Sequence, residues 1–132
     1  MKSRDTLVRL KRFQAEEKRR RVNQIEMMIA EFGRMAGDLD REIAAEEQRT
    51  GVKDQSHYAY STYARAARTR RDNLAHSAEE LKQQLEEARS LLEVANDDLS
   101  KAQVLESREK APALGDLARD ALDLSALRGA RA

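Results

Sequence analysis

Between His57 and Lys110 the chain contains neither glycine nor proline. A stretch of that length without helix breakers has few outcomes other than a long helix. Its apolar residues recur by three and four at Leu74, Ala78, Leu81, Leu85, Ala88, Leu92, Ala95, Leu99 and Ala102, the seam spacing of a coiled coil. Large and small side chains alternate along that seam, so a large residue on a partner helix meets a small one. Composition agrees with this reading. The 132 residues are 37% charged and 4% aromatic, with one proline and five glycines. A globular domain carries about a quarter charged residues, and this chain has little bulk for a thick core. It suits helices that bury one narrow stripe.

A partner helix lies upstream, over about residues 3–49, where the only glycines are Gly33 and Gly37. Its apolar stripe starts at Leu7 and Leu10, weakens from Lys11 to Arg21, and resumes as Ile25, Met28, Phe32, Met35 and Leu39, with Ile43 one residue off register. The cluster from Thr50 to Ser56 reads as a turn, over about residues 50–57. There Gly51 suits the position after a helix end, and Asp54 or Ser56 could cap the next helix. The second helix spans about 58–110. Ala111-Pro112 is an expected stop, and 111–132 an expected short tail, helical or disordered, with Leu114, Leu117, Ala121, Leu122, Leu124 and Leu127 on one face. The fold class is all-α, a long antiparallel two-helix coiled-coil hairpin.

Charge supports the antiparallel orientation. Residues 38–47 hold Asp38, Asp40, Glu42, Glu46 and Glu47 against Arg41 alone, whereas 62–71 hold Arg65, Arg68, Arg70 and Arg71 and no acid. A fold-back near Asp54 and Gln55 sets these blocks side by side, with facing residues whose numbers sum to about 109 or 110; a parallel homodimer would set each block against its own copy. In that register Phe32 faces Ala78 and Ile25 faces Leu85.

Candidate chemistry is sparse. Cysteine is absent, which removes disulfides, thiolate metal sites and cysteine nucleophiles. His57 and His76 have no second ligand at metal spacing. There is no glycine-rich phosphate loop, no His-Glu-x-x-His pattern and no nucleophile elbow. The expectation is a non-enzymatic chain without cofactor, metal or small-molecule substrate. No apolar run suits a signal peptide or a membrane span, which points to the cytosol.

Two clusters remain. Residues 4–21 hold Arg4, Arg9, Lys11, Arg12, Lys18, Arg19, Arg20 and Arg21 against three acids, a basic excess that could meet an acidic partner. Nucleic acid is disfavoured there, because acids interrupt the run and only Phe13 could stack. Tyr58, Tyr60 and Tyr63 gather after the turn, either stapling it over Ile43 and Val52 or forming a contact surface.

Four segments carry a resemblance. They are Met-Lys-Ser-Arg-Asp-Thr-Leu-Val-Arg-Leu-Lys-Arg-Phe-Gln at the start, Gln24-Ile-Glu-Met-Met-Ile29, Asp38-Leu-Asp-Arg-Glu-Ile-Ala-Ala-Glu-Glu-Gln-Arg-Thr-Gly51, and Tyr60-Ser-Thr-Tyr-Ala-Arg-Ala-Ala-Arg68. Over about residues 1–110 the chain resembles the FliJ family of flagellar export proteins, its alphaproteobacterial members in particular. The resemblance implies a soluble cytoplasmic component of the flagellar type III export apparatus, peripherally associated with the inner membrane at the flagellar base. It implies an antiparallel coiled coil similar to the stalk of the rotary ATPase gamma subunit. Its partners would be the export ATPase hexamer, whose ring assembly and activity it promotes, the cytoplasmic part of the membrane export gate, and export chaperones.

Carried onto this sequence, the resemblance places gate binding at Tyr63, Ala67 and Arg70, where Arg70 stands in place of the smaller residues of distant members. The basic residues Arg9, Lys11, Arg12, Arg19 and Arg20 become candidates for the ATPase ring. The rivals are a homo-oligomeric coiled-coil scaffold and a basic rod that binds nucleic acid.

Overall fold

The protein is described by a computed structural model, with residues 3–109 placed well enough to describe. Two long helices, α1 (Lys2–Thr50) and α2 (Thr62–Arg131), pack against each other, and no strand occurs among the described residues. The stop expected at Pro112 and the expected tail 111–132 lie outside the described residues. The chain divides into two compact units, one made of residues 1–18 with those from 91 onward, the other of residues 19–90.

In the unit of residues 19–90, the α2 row Ala64, Ala67, Leu74, Ala78, Leu81, Leu85 and Ala88 is buried or half-buried, as the three-four spacing requires. Tyr60, in the connector, extends the row upstream. Facing it on α1 are Val22, Ile25, Ile29, Phe32, Ala36, Leu39 and Ile43. Ile25 is 1% exposed, and Leu39, Ile43, Ala67 and Leu74 form one packed cluster. The antiparallel register is visible in polar contacts such as Asp40 to Arg71 and Glu42 to Tyr63, which bracket the expected pairing.

In the other unit, Val8 and Ala15 on α1 and Ala95 and Ala102 on α2 are buried, with Leu92 and Leu99 half-buried. Lys11 Nζ lies 4.0 Å from Asp98 and Arg4 Nη1 donates to the Leu105 carbonyl at 3.3 Å.

The α1 stripe differs from the expected one. Leu10, Met28 and Met35 are exposed and Leu7 only half-buried, while Val8, Ala15 and Val22 are buried. The seam is displaced by about one residue and does not fade between Lys11 and Arg21; it passes through an alanine and a valine spaced by seven. Ile43 falls on that same row and is in register.

The connector, residues 51–61, opens with a left-handed residue: Gly51 has φ 75° and its N–H donates to the Glu47 carbonyl at 2.9 Å, the single-bond αL ending of a helix. The Asp54 carboxylate accepts from the Ser56 N–H at 3.0 Å and the Ser56 hydroxyl at 2.7 Å, forming a local turn. The cap of α2 is therefore neither Asp54 nor Ser56 but Ser61, whose Oγ accepts from the Ala64 N–H at 3.2 Å. The same hydroxyl donates to Glu46 of α1 at 2.9 Å, so the cap also ties the two helices. This places the start of α2 at Thr62 rather than 58.

Gly33 and Gly37 sit inside α1, where glycine costs about 1 kcal/mol relative to alanine. An added Cβ at Gly33 would meet nothing within 4 Å, and at Gly37 only the Arg41 guanidinium at 3.9 Å. Neither glycine is needed for the packing of α1 on α2.

Candidate functional site

At the connector end of the 19–90 unit the helices are held by a buried polar network. The Tyr60 hydroxyl donates to Glu47 Oε1 at 2.8 Å, and Arg68 Nε donates to the Tyr60 hydroxyl at 2.7 Å. A second Arg68 nitrogen donates to the same Glu47 oxygen. The guanidinium groups of Arg65 and Arg68 lie 5.4 Å and 5.9 Å from the Tyr60 ring centre, within cation–π range. Arg68 and the Tyr60 hydroxyl hold the Glu47 carboxyl below the ordinary glutamate range, because both stabilise its charged form. Arg49 and Ser61 do the same for Glu46. This network makes Tyr60 structural: it is buried over the turn, as one reading of the tyrosine cluster expects.

Tyr63 and Arg70 are exposed on α2, two turns apart, whereas Ala67 between them is buried against Leu39 and Ile43. The Tyr63 hydroxyl donates to Glu42 Oε2 at 3.0 Å, and that carboxylate raises the tyrosine pKa above its ordinary value. Arg70 borders a groove between the helices lined also by Met35, Asp38, Leu39, Glu42 and Leu74. The apolar floor and mixed-charge rim suit a protein segment with an apolar anchor. Of the three residues assigned to gate binding, two are presented to solvent; Ala67 can act on that surface only by setting how closely the helices pack.

Among the basic residues, Arg9 and Arg12 belong to one unit and are exposed, with no ion pair to another described residue. Lys11, in the same unit, is half-buried and directed at Asp98. Arg19 and Arg20 belong to the 19–90 unit and are exposed.

The histidines stand apart from each other in chemistry. His57 Nδ1 accepts from the Ala59 N–H at 3.0 Å and its ring stacks on Tyr58, which is 96% exposed. His76 Nε2 lies 3.2 Å from Glu80. Among the described residues, no three His, Cys, Asp or Glu side chains converge as a metal site, and no helix is long and apolar enough to cross a membrane.

Two features escaped the sequence reading. The Tyr60–Glu47–Arg68 network could have been found from spacing, since Tyr60, Ala64 and Ala67 continue the α2 seam by four and three and Glu47 follows Ile43 by four. The exposed apolar groove side chains Leu91 and Val94, beside Gln14, Glu17 and Lys18, lie next to the seam and carry no periodic signal of their own.

Fold and polar network together define an antiparallel two-helix coiled coil locked at its connector. No family model, curated protein or solved structure matches the chain.

Proposed function

We propose that this chain is a non-enzymatic adaptor of the flagellar type III export apparatus. It acts as a coiled-coil stalk that binds and stimulates the export ATPase ring through Arg9, Lys11, Arg12, Arg19 and Arg20. It meets the cytoplasmic part of the membrane export gate at Tyr63 and at the groove bordered by Arg70, and it engages export chaperones. Membrane association is peripheral and runs through these partners. The observation that supports this reading is the antiparallel packing of α1 on α2 around one heptad seam, the architecture that the resemblance implies. Exposed, unneutralised Arg9 and Arg12 add a surface for an acidic partner.

The test is the ATP hydrolysis rate of the flagellar export ATPase with and without this protein. Stimulation that is lost in a variant with Arg9, Lys11 and Arg12 changed to Glu, while far-UV helicity is kept, supports the reading; unchanged stimulation removes the basic residues from it. Tyr63→Ala is expected to weaken binding to the gate domain and leave the ATPase effect intact. A second reading, a homo-oligomeric scaffold, draws on the exposed apolar side chains Met27, Phe13 and Val94; it predicts a stable oligomer with no effect on the ATPase.

A further inference from the structure

The side of α1 turned away from the seam carries a regularly spaced exposed row. Met27, Glu31, Arg34, Asp38, Arg41 and Ala45 follow one another by four and three, and all six are exposed. Met27, at one end of the row, is 70% exposed. Read in one direction the four charges run minus, plus, minus, plus; read in the other they run plus, minus, plus, minus. The row is therefore complementary to itself when reversed.

We propose that this face pairs two copies of the chain antiparallel, about a twofold axis near position 36. In that arrangement Glu31 meets Arg41 of the second copy, Arg34 meets its Asp38, and Met27 packs on its Ala45. The symmetry makes each contact twice. A parallel in-register pairing would instead set every charge against itself.

The shoulders of the row fit the same axis. On one side Ala30, Gly37 and Ala44 stand near the second copy's Ala44, Gly37 and Ala30, small against small. On the other side Met35 stands near its own copy. The concavity lined by Ala30, Gly33, Met35 and Gly37 exists because two glycines sit where α1 and α2 do not need them, and close approach of another helix uses that space. Arg41 bonds Asp38 within the same helix, but both side chains are more than half exposed. Such a pair exchanges for an intermolecular one with little loss. Tyr63, Arg70, Arg9 and Arg12 are not used, but Met35 and Asp38 also line the groove bordered by Arg70, so pairing and gate docking would compete on that side of α1.

The chain has no cysteine, which makes the test direct. On mild oxidation the double variant Met27→Cys, Ala45→Cys is expected to give a disulfide-linked dimer, and each single variant none. By light scattering the full chain is expected to rise with concentration from 15.0 kDa toward twice that mass. Glu31→Arg should abolish the rise with unchanged helicity, and adding Arg41→Glu to it should restore the rise. The proposal is overturned if the wild-type mass stays at the monomer value at the highest soluble concentration, if either single-cysteine variant links to itself as readily as the double variant links, or if Glu31→Arg associates like the wild type. These readouts involve no ATPase, so their failure and that of the export reading are separable.

Discussion

In residues 19–90 the larger side chains of the seam are inside; in residues 1–18 with 91–109 several of the largest are outside. The first unit buries Ile25, Leu39, Ile43, Tyr60, Leu81 and Leu85. The second buries Val8 and the alanines Ala15, Ala95 and Ala102, and exposes Leu10, Phe13, Leu91, Val94, Val104 and Leu105. Both obey one heptad rule, yet hydrophobic stabilisation follows the apolar area removed from water, and alanine removes little. Interhelix polar contacts differ in kind, from a buried three-member network to separate pairs, Arg4 with Glu109 at 3.2 Å and Lys11 with Asp98 at 4.0 Å. Both units expose apolar and basic side chains, among them Met27 and Arg70 in the first, so a shared pattern of spacing differs between them in how much bulk it buries rather than in what it leaves outside.

The comparison breaks most easily at its strongest point. Ile25→Ala is expected to destabilise the protein by about 2–5 kcal/mol in urea unfolding, the range for deleting a buried aliphatic side chain. Tyr60→Phe removes the hydroxyl from the network and should cost roughly 1–3 kcal/mol, since its partners are charged; a value near zero would mean that Arg68 and Glu47 suffice alone. Val8→Ala, by the methylene count, should cost only about 1–2 kcal/mol. If it costs as much as Ile25→Ala, the contrast between the units fails; amide exchange that is no faster over 91–105 than over 74–88 would fail it as well.

The smallest effect is in pH. Glu46 and Glu47 have folded-state pKa values below the ordinary glutamate value, so their contribution is fully present above that value and is lost as pH falls through the folded one. Urea midpoints are expected to decline on acidification, and Glu47→Gln should flatten that decline while lowering the midpoint at neutral pH.

The α2 seam was legible because Leu and Ala alternate on it without competition: all nine residues from Leu74 to Ala102 are buried or half-buried. The α1 seam was legible only at Ile25, Phe32 and Leu39. Leu7, Leu10, Met28 and Met35 are larger than the neighbouring or alternative seam residues Val8, Ala15 and Ala36, and size drew the stripe one residue around the helix. Lys11 and Lys18, at the positions between Val8, Ala15 and Val22, hid the row further. The connector was placed correctly but made too short, because Asp54 and Ser56 satisfy each other and leave capping to Ser61. Of the candidate site, the exposure of Tyr63 and Arg70 suits a surface role. The burial of Ala67 follows from its place three residues after Ala64 on the seam.

The Ser61 hydroxyl, bonded to Glu46 across the connector, also bears on how the molecule reaches its folded form. Closing a chain segment of about 10 residues takes on the order of 10–100 ns, far less than bringing together partners such as Glu26 and Arg89. The helices of the 19–90 unit are thus expected to pair first beside the connector and extend layer by layer, each new contact closing a loop only slightly longer than the last. A substitution at Ser61 should slow folding more than it speeds unfolding, whereas one at Ile25 should do the reverse. A chain built this way finds its register early, from the end where the two strands of the hairpin cannot separate.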